Sequence, residues 1–171
     1  AVITNIEADH LDYFRDLDDI QDNFVSFVNK VPFYGAVIAC SDEPAVKGIL
    51  PRTKRRVITF GLNEEADVAV SDCQLDSMGS SFVLRFNGLE QQSCVLKVPG
   101  MHNVLNAAGA FTAALEMGVA PDVIALALEN FAGVERRYEI KCRTGVVLID
   151  DYAHHPTEVK ATLSAARGAG F

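Results

Sequence analysis

Neither of the two common glycine-rich phosphate loops is present: no segment fits G-x-x-x-x-G-K-[ST] or G-x-G-x-x-G. If the function uses ATP, its main phosphate-binding loop therefore lies outside these 171 residues. Long apolar runs are missing too, so nothing reads as a membrane span, and no stretch reads as a signal peptide. Cysteines are few and scattered. Cys40, Cys73, Cys94 and Cys142 form no C-x-x-C and no zinc pattern, which points to reduced thiols and a cytoplasmic setting. Positive charge is in short supply: 15 Lys and Arg against 23 Asp and Glu give a net charge of -8. That balance argues against a broad nucleic-acid surface, but leaves room for a local basic pocket that takes a small phosphorylated ligand.

What is present has an ordinary globular composition, 49% hydrophobic and 22% charged. A chain of this length buries roughly 70% of its unfolded surface and needs no disulfides. Its ends suggest a piece of a longer protein. Ala1 opens directly onto a strand, and Phe171 follows the Gly168-Ala169-Gly170 turn that should lead to a further element.

Alternation of strand and helix signals predicts an α/β fold: an open, mostly parallel sheet flanked by helices, with a small antiparallel β patch beside it. Strands are expected at 1–5, 35–40 and 56–60, with helices at 17–31 and 43–50 between them. Ile20, Phe24, Phe27, Val28 and Val31 recur at helical spacing behind Asp16, Asp18 and Asp19, and the unbroken apolar run at 35–40 suits a strand covered on both faces. Strands at 67–72, 81–86 and 93–98 form the expected patch, with Asn87-Gly88 marking a turn. Helices return at 102–117 and 122–131, then strands at 138–143 and 146–149 around Thr144-Gly145. A last helix runs from 156 to 167, with Pro156 at its start and Gly168 at its end.

Polar residues cluster where such folds place ligands, beyond the carboxyl ends of strands. Asn5-Ile6-Glu7-Ala8-Asp9-His10-Leu11-Asp12 crowds carboxylates and an imidazole into one loop, a set suited to a divalent cation shared with phosphate oxygens. His10 is the best single metal candidate there; Asp9 and Asp12 suit capping of the next helix equally well. Gly100-Met101-His102-Asn103-Val104-Leu105-Asn106 opens a helix with two amides three residues apart on one face. A carboxamide offers both a donor and an acceptor to an adenine edge, and it can also simply cap the helix. Arg136-Arg137 offers guanidinium forks to phosphate; on a strand the two would face opposite ways, so at most one reaches a shared site. Asp150-Asp151-Tyr152-Ala153-His154-His155-Pro156-Thr157-Glu158 puts acids that can bind ribose hydroxyls at a strand end. Sequence-adjacent histidines rarely hold one zinc ion. All four histidines, His10, His102, His154 and His155, fall within these motifs.

Taken together with Val31-Pro32-Phe33-Tyr34-Gly35 and Gly133-Val134-Glu135-Arg136-Arg137-Tyr138-Glu139, these motifs resemble the Mur ligase family, in the family's order and along the whole chain. The resemblance implies a central ATPase domain without its phosphate loop over residues 1–144, and the first strand and helix of a C-terminal Rossmann-like ligase domain over residues 145–171. It implies an ATP-dependent, magnesium-requiring, amide-forming ligase of peptidoglycan synthesis that works through an acyl phosphate. The missing parts would be a UDP-sugar domain before it and most of the amino-acid domain after it, and the segment alone would be inactive. By position, His10 resembles the family's magnesium ligand and a catalytic residue, Asn103 and Asn106 its adenine-pocket amides, and Arg137 the arginine that reaches ATP. Asp151 resembles the ribose-binding acid, with Tyr152 and His154 in the same cofactor-binding pattern. Several sister ligases carry a carbamylated lysine where this chain reads Asp22-Asn23-Phe24-Val25, and its absence favours the branch whose substrates are UDP-N-acetylmuramate and L-alanine. The branch that recycles muropeptides is the nearest alternative; Ala8 stands where an aromatic residue is expected in it. A folate-polyglutamate ligase would not be expected to carry His154-His155-Pro156, and a reading from another class is a non-catalytic nucleotide-binding module.

Overall fold

The computed structural model describes residues 1–76, 79–142 and 144–168. The turn expected over 168–170 and the end of the strand expected over 138–143 fall partly outside them. The chain builds, in order, β1 (Val2–Ile3), α1 (Leu17–Val28), β2 (Ala36–Cys40), α2 (Pro44–Ile49) and β3 (Arg56–Gly61). There follow β4 (Val68–Leu75), β5 (Ser80–Phe86), β6 (Glu90–Leu96), α3 (Met101–Glu116) and α4 (Pro121–Glu129). The last elements are β7 (Glu139–Cys142), β8 (Leu148–Asp150) and α5 (Pro156–Gly168).

Strands β1 to β6 form one six-stranded sheet in sequence order. The β1–β2, β2–β3 and β3–β4 pairs are parallel, and β4–β5 and β5–β6 are antiparallel. The expected antiparallel patch is present and is continuous with the main sheet. The junction is β4, whose first residues pair with the end of β3 (Phe60 with Val68) and whose length then serves β5. Asp67 secures that junction: one carboxylate oxygen accepts from both the Thr59 backbone N–H and its hydroxyl, each at 2.7 Å. Further along, β4 shifts register between Ser71 and Gln74, where Asp72 takes a left-handed φ of 50°.

Period-two alternation splits β2 between two cores. Ile38 and Cys40 join Phe60, Leu84, Val104 and Phe111 beneath α3 and α4, whereas Val37 and Ala39 join Ile20, Val28, Val46 and Ile49 beneath α1 and α2. Burying each large side chain is worth about 1.5–3 kcal/mol, so the covered sheet is the main stabilising unit. α3 approaches it closely at Gly109, where an added Cβ would lie 3.0 Å from the buried Phe60 ring.

Several local expectations change. α1 ends at Val28 instead of Val31, and Phe27 stays 53% exposed although its spacing suits the apolar face. The cap of α1 is Asp16, which accepts from the Asp19 N–H at 2.9 Å; neither Asp9 nor Asp12 serves. β6 begins at Glu90, not Ser93, because Asn87 and Gly88 both adopt left-handed φ and close a tight hairpin. Arg136 and Arg137 lie in a turn before β7, with φ of 58° at Arg136 and 52° at Tyr138, and β7 begins at Glu139, one residue later than expected. Their side chains take different partners, Arg136 the Tyr152 ring and Arg137 the Glu158 carboxylate.

Candidate active site

A cleft of about 1130 Å³ opens beyond the carboxyl ends of β1, β2 and β3, between the loop after β1, the first turns of α3, and the N-terminal half of α5. His10, Asn103, Asn106, Arg137 and Asp151 all line it. Tyr152 and His154 do not. They form an exposed group beside it, with the Arg136 guanidinium 4.7 Å from the Tyr152 ring centroid, the two rings 5.0 Å apart, and His154 Nδ1 3.6 Å from Oε2 of Glu158, a residue of the cleft wall.

The loop after β1 carries His10 at a left-handed φ of 54°, a strained conformation for a side-chain-bearing residue. Asp9 stabilises it twice, accepting from the His10 backbone N–H at 2.7 Å and contacting Nδ1 at 3.2 Å. With Nδ1 turned to a carboxylate, Nε2 is the nitrogen left to ligate a cation. Among the described residues no three metal-ligating side chains converge, so His10 can offer one ligand but no cage. The charge of the cleft fits that arrangement: Glu7, Asp9, Glu43, Asp151 and Glu158 line it, against Arg137 as the one Lys or Arg among its described lining residues. A lining this acidic repels a bare polyanion and favours a hard divalent cation, which takes oxygen ligands.

Gly100 precedes the first residue of α3 as its N-cap; its φ of 100° suits glycine, and an added Cβ there would come within 2.7 Å of the His102 ring. Asn103 Nδ2 donates to the Pro99 carbonyl at 2.8 Å, so this amide ties down the start of the helix. The Asn106 carboxamide is exposed in the cleft and makes no hydrogen bond among the described residues. It can offer a donor and an acceptor together. Burial holds the His102 imidazole below its ordinary pKa; nearby Asp151 opposes that shift and Arg137 adds to it.

Asp151 is structurally employed as well. Its two oxygens accept from the backbone N–H of Tyr138 at 2.8 Å and of Ala153 at 2.7 Å, clamping the arginine turn to the end of β8. Each oxygen keeps a lone pair for a hydroxyl. Arg137 extends from that turn to Glu158, with Nη1 donating to Oε1 at 3.3 Å. His155, at the foot of α5, contacts Glu7 across the cleft, with Nδ1 and Oε2 2.9 Å apart. Sequence reasoning missed both cross-links. The spacing His155-Pro156-Thr157-Glu158 is that of a capping box, which signals the local fold-back of Glu158 but not its distant partner.

The fold and the cleft define an α/β domain whose ligand site lies at the carboxyl ends of parallel strands. Family models resolve it further: residues 1–114 match the Mur ligase middle domain, and residues 136–170 match the Mur ligase glutamate ligase domain. The chain belongs to the Mur ligase family. It is 48% identical over 172 aligned residues to the UDP-N-acetylmuramate–L-alanine ligase of Solibacter usitatus, covering 100% of this chain and 36% of that one. It superposes on MurF of Acinetobacter baumannii with a TM-score of 0.87 at 26% identity, over 96% of this chain and 36% of that one. It also superposes on the UDP-N-acetylmuramate-alanine ligase MurC of Thermotoga maritima with a TM-score of 0.80 at 27% identity, over 98% and 37%. MurF of Thermotoga maritima in complex with ADP shares the fold, with a TM-score of 0.80 at 18% identity, over 97% and 39%. The chain thus spans about 36% of the length of the curated relative it matches. Members of the family are ATP-dependent ligases. Among the described residues, no helix is long and apolar enough to cross a membrane.

Proposed function

We propose that this chain is the nucleotide-side portion of a cytoplasmic enzyme that joins L-alanine to UDP-N-acetylmuramate in peptidoglycan synthesis, using ATP. The observation that carries the reading is the single cleft lined by His10, Asn106 and Arg137, residues far apart in sequence. Residues 1–144 are read as the remainder of the central ATPase domain and 145–171 as the opening of the C-terminal ligase domain. The β7–β8 ladder then straddles that division.

In the reaction, an oxygen of the substrate carboxylate attacks the γ-phosphorus and ADP departs. The amine of L-alanine then attacks the acyl carbon, giving the amide and releasing phosphate. Asn106 pairs with the adenine edge through its free carboxamide, while Asn103 keeps the first turn of α3 in place. Arg137 stabilises charge on the transferring phosphoryl group, a contact that strengthens as the reaction proceeds. Asp151 holds the arginine turn and accepts from ribose hydroxyls. His10 Nε2 is the atom of this chain that would hold a magnesium ion, which would supply positive charge against that of the phosphates.

The test is phosphate release by the purified complete protein. Release that requires ATP, UDP-N-acetylmuramate and L-alanine together supports the reading. Release driven by a tripeptide in place of L-alanine assigns the protein to muropeptide recycling. Nucleotide binding without any release makes it a binding module and removes the ligase assignment.

A further inference from the structure

Arg137 is a long, mostly exposed side chain, yet the reaction proposed above needs its fork at a fixed place. Held only by its own turn, a guanidinium samples many rotamers, and ordering it costs conformational entropy. Glu158 removes that freedom from outside the turn. Its Oε2 accepts from the backbone N–H groups of His154 at 3.2 Å and His155 at 3.4 Å, so the carboxylate is bound to the N-terminus of α5. Its Oε1 then accepts from Arg137 Nη1. A guanidinium has five N–H donors in one plane, and engaging one edge leaves the others to face the cleft that Asn106 and His10 line. The foot of α5 is itself fastened to the opposite wall by the Glu7–His155 contact at 2.9 Å, and Asn5 Nδ2 donates to the other Glu7 oxygen at 3.1 Å. The arginine, the helix foot and the loop bearing His10 thus form one connected set, although no member of it is a close sequence neighbour of both others.

We propose that Glu158 is a positioning residue for Arg137: tied to the first turn of α5, its carboxylate aims the guanidinium into the cleft for the transferring phosphoryl group. This rests on the ligase reading, and the test is chosen to separate the two. In the complete protein, turnover is measured for Glu158→Ala, Glu158→Gln, Arg137→Ala and the Arg137→Ala/Glu158→Ala double variant, alongside their melting midpoints. Glu158→Ala should lower kcat on the order of tenfold to a hundredfold and leave the KM for L-alanine unchanged. Glu158→Gln, which keeps an acceptor and the cap, should recover most of that loss. The double variant should be no slower than Arg137→Ala alone, because residues acting as one unit are not additive. Normal turnover in Glu158→Ala overturns the inference. So does an equal slowing by Glu158→Ala with and without Arg137, which marks a role in the fold alone. Normal turnover in Arg137→Ala instead overturns the placement of Arg137 in the site, and this inference with it.

Discussion

His102 sits at the first turn of α3, sheltered by the packing around Gly100 and facing Asp151 and Arg137. Burial disfavours its charged form, so its folded pKa lies below the ordinary 6.5, and the imidazole is neutral at neutral pH. The unfolded chain then binds the proton more readily than the folded one in the interval between the two values. Stability from this group is complete above about pH 6.5 and is lost as the pH falls through the depressed folded value. An NMR titration should place the His102 midpoint below 6.5; a midpoint at or above that value would show that the ring is solvated or ion-paired instead. Cys94 follows the same physics in the other direction, its thiol pushed up to about 11 by burial. At this scale the sequence named the residues of the cleft but not their states. A neutral His102, an Asn103 spent on the Pro99 carbonyl and a free Asn106 depend on neighbours that sequence spacing does not reveal.

Among the elements, α1 shows how a few local contacts set a boundary. Asp16 is extended, its side chain satisfies the Asp19 N–H, and Asp18 and Asp19 add negative charge where the helix dipole favours it. Asp16→Ala should cost about 1 kcal/mol in a denaturant titration, and Asp16→Asn, which keeps the capping oxygen, only a small part of that. A loss below the error of the measurement in Asp16→Ala would leave the cap without energetic weight. The strands and helices were legible because their periodicities are local, and so was the Asn87-Gly88 turn. The union of the antiparallel patch with the parallel sheet was not. It depends on β4 meeting β3 through a short loop that Asp67 and Thr59 lock, and no periodicity encodes that pairing. The turn that carries Arg136 and Arg137 was not legible for a related reason: it is held by Asp151 and by the Arg136 carbonyl, which accepts from the Tyr152 N–H at 2.8 Å.

For the whole molecule, the charge of the cleft bears on what the chain can do alone. Its described lining holds one guanidinium against several carboxylates, and no glycine-rich phosphate loop occurs in the sequence. The 171-residue chain alone should therefore release no phosphate from ATP in the presence of L-alanine and UDP-N-acetylmuramate. Measurable release by the isolated chain would mean that the phosphates are held here by groups the cleft does not display. The sequence by itself determined the α/β class, the family resemblance and the motifs that carry polar chemistry, because residue type and local period suffice for those. The tertiary structure decided that His10, Asn106 and Arg137 share one cleft, whose lining does not include Tyr152 and His154. It also decided that Glu7 and Glu158 bind the foot of α5 to both walls. The reason is physical: a carboxylate's partner is whatever cation or N–H the folded backbone brings within hydrogen-bond reach, and that reach spans most of the sequence.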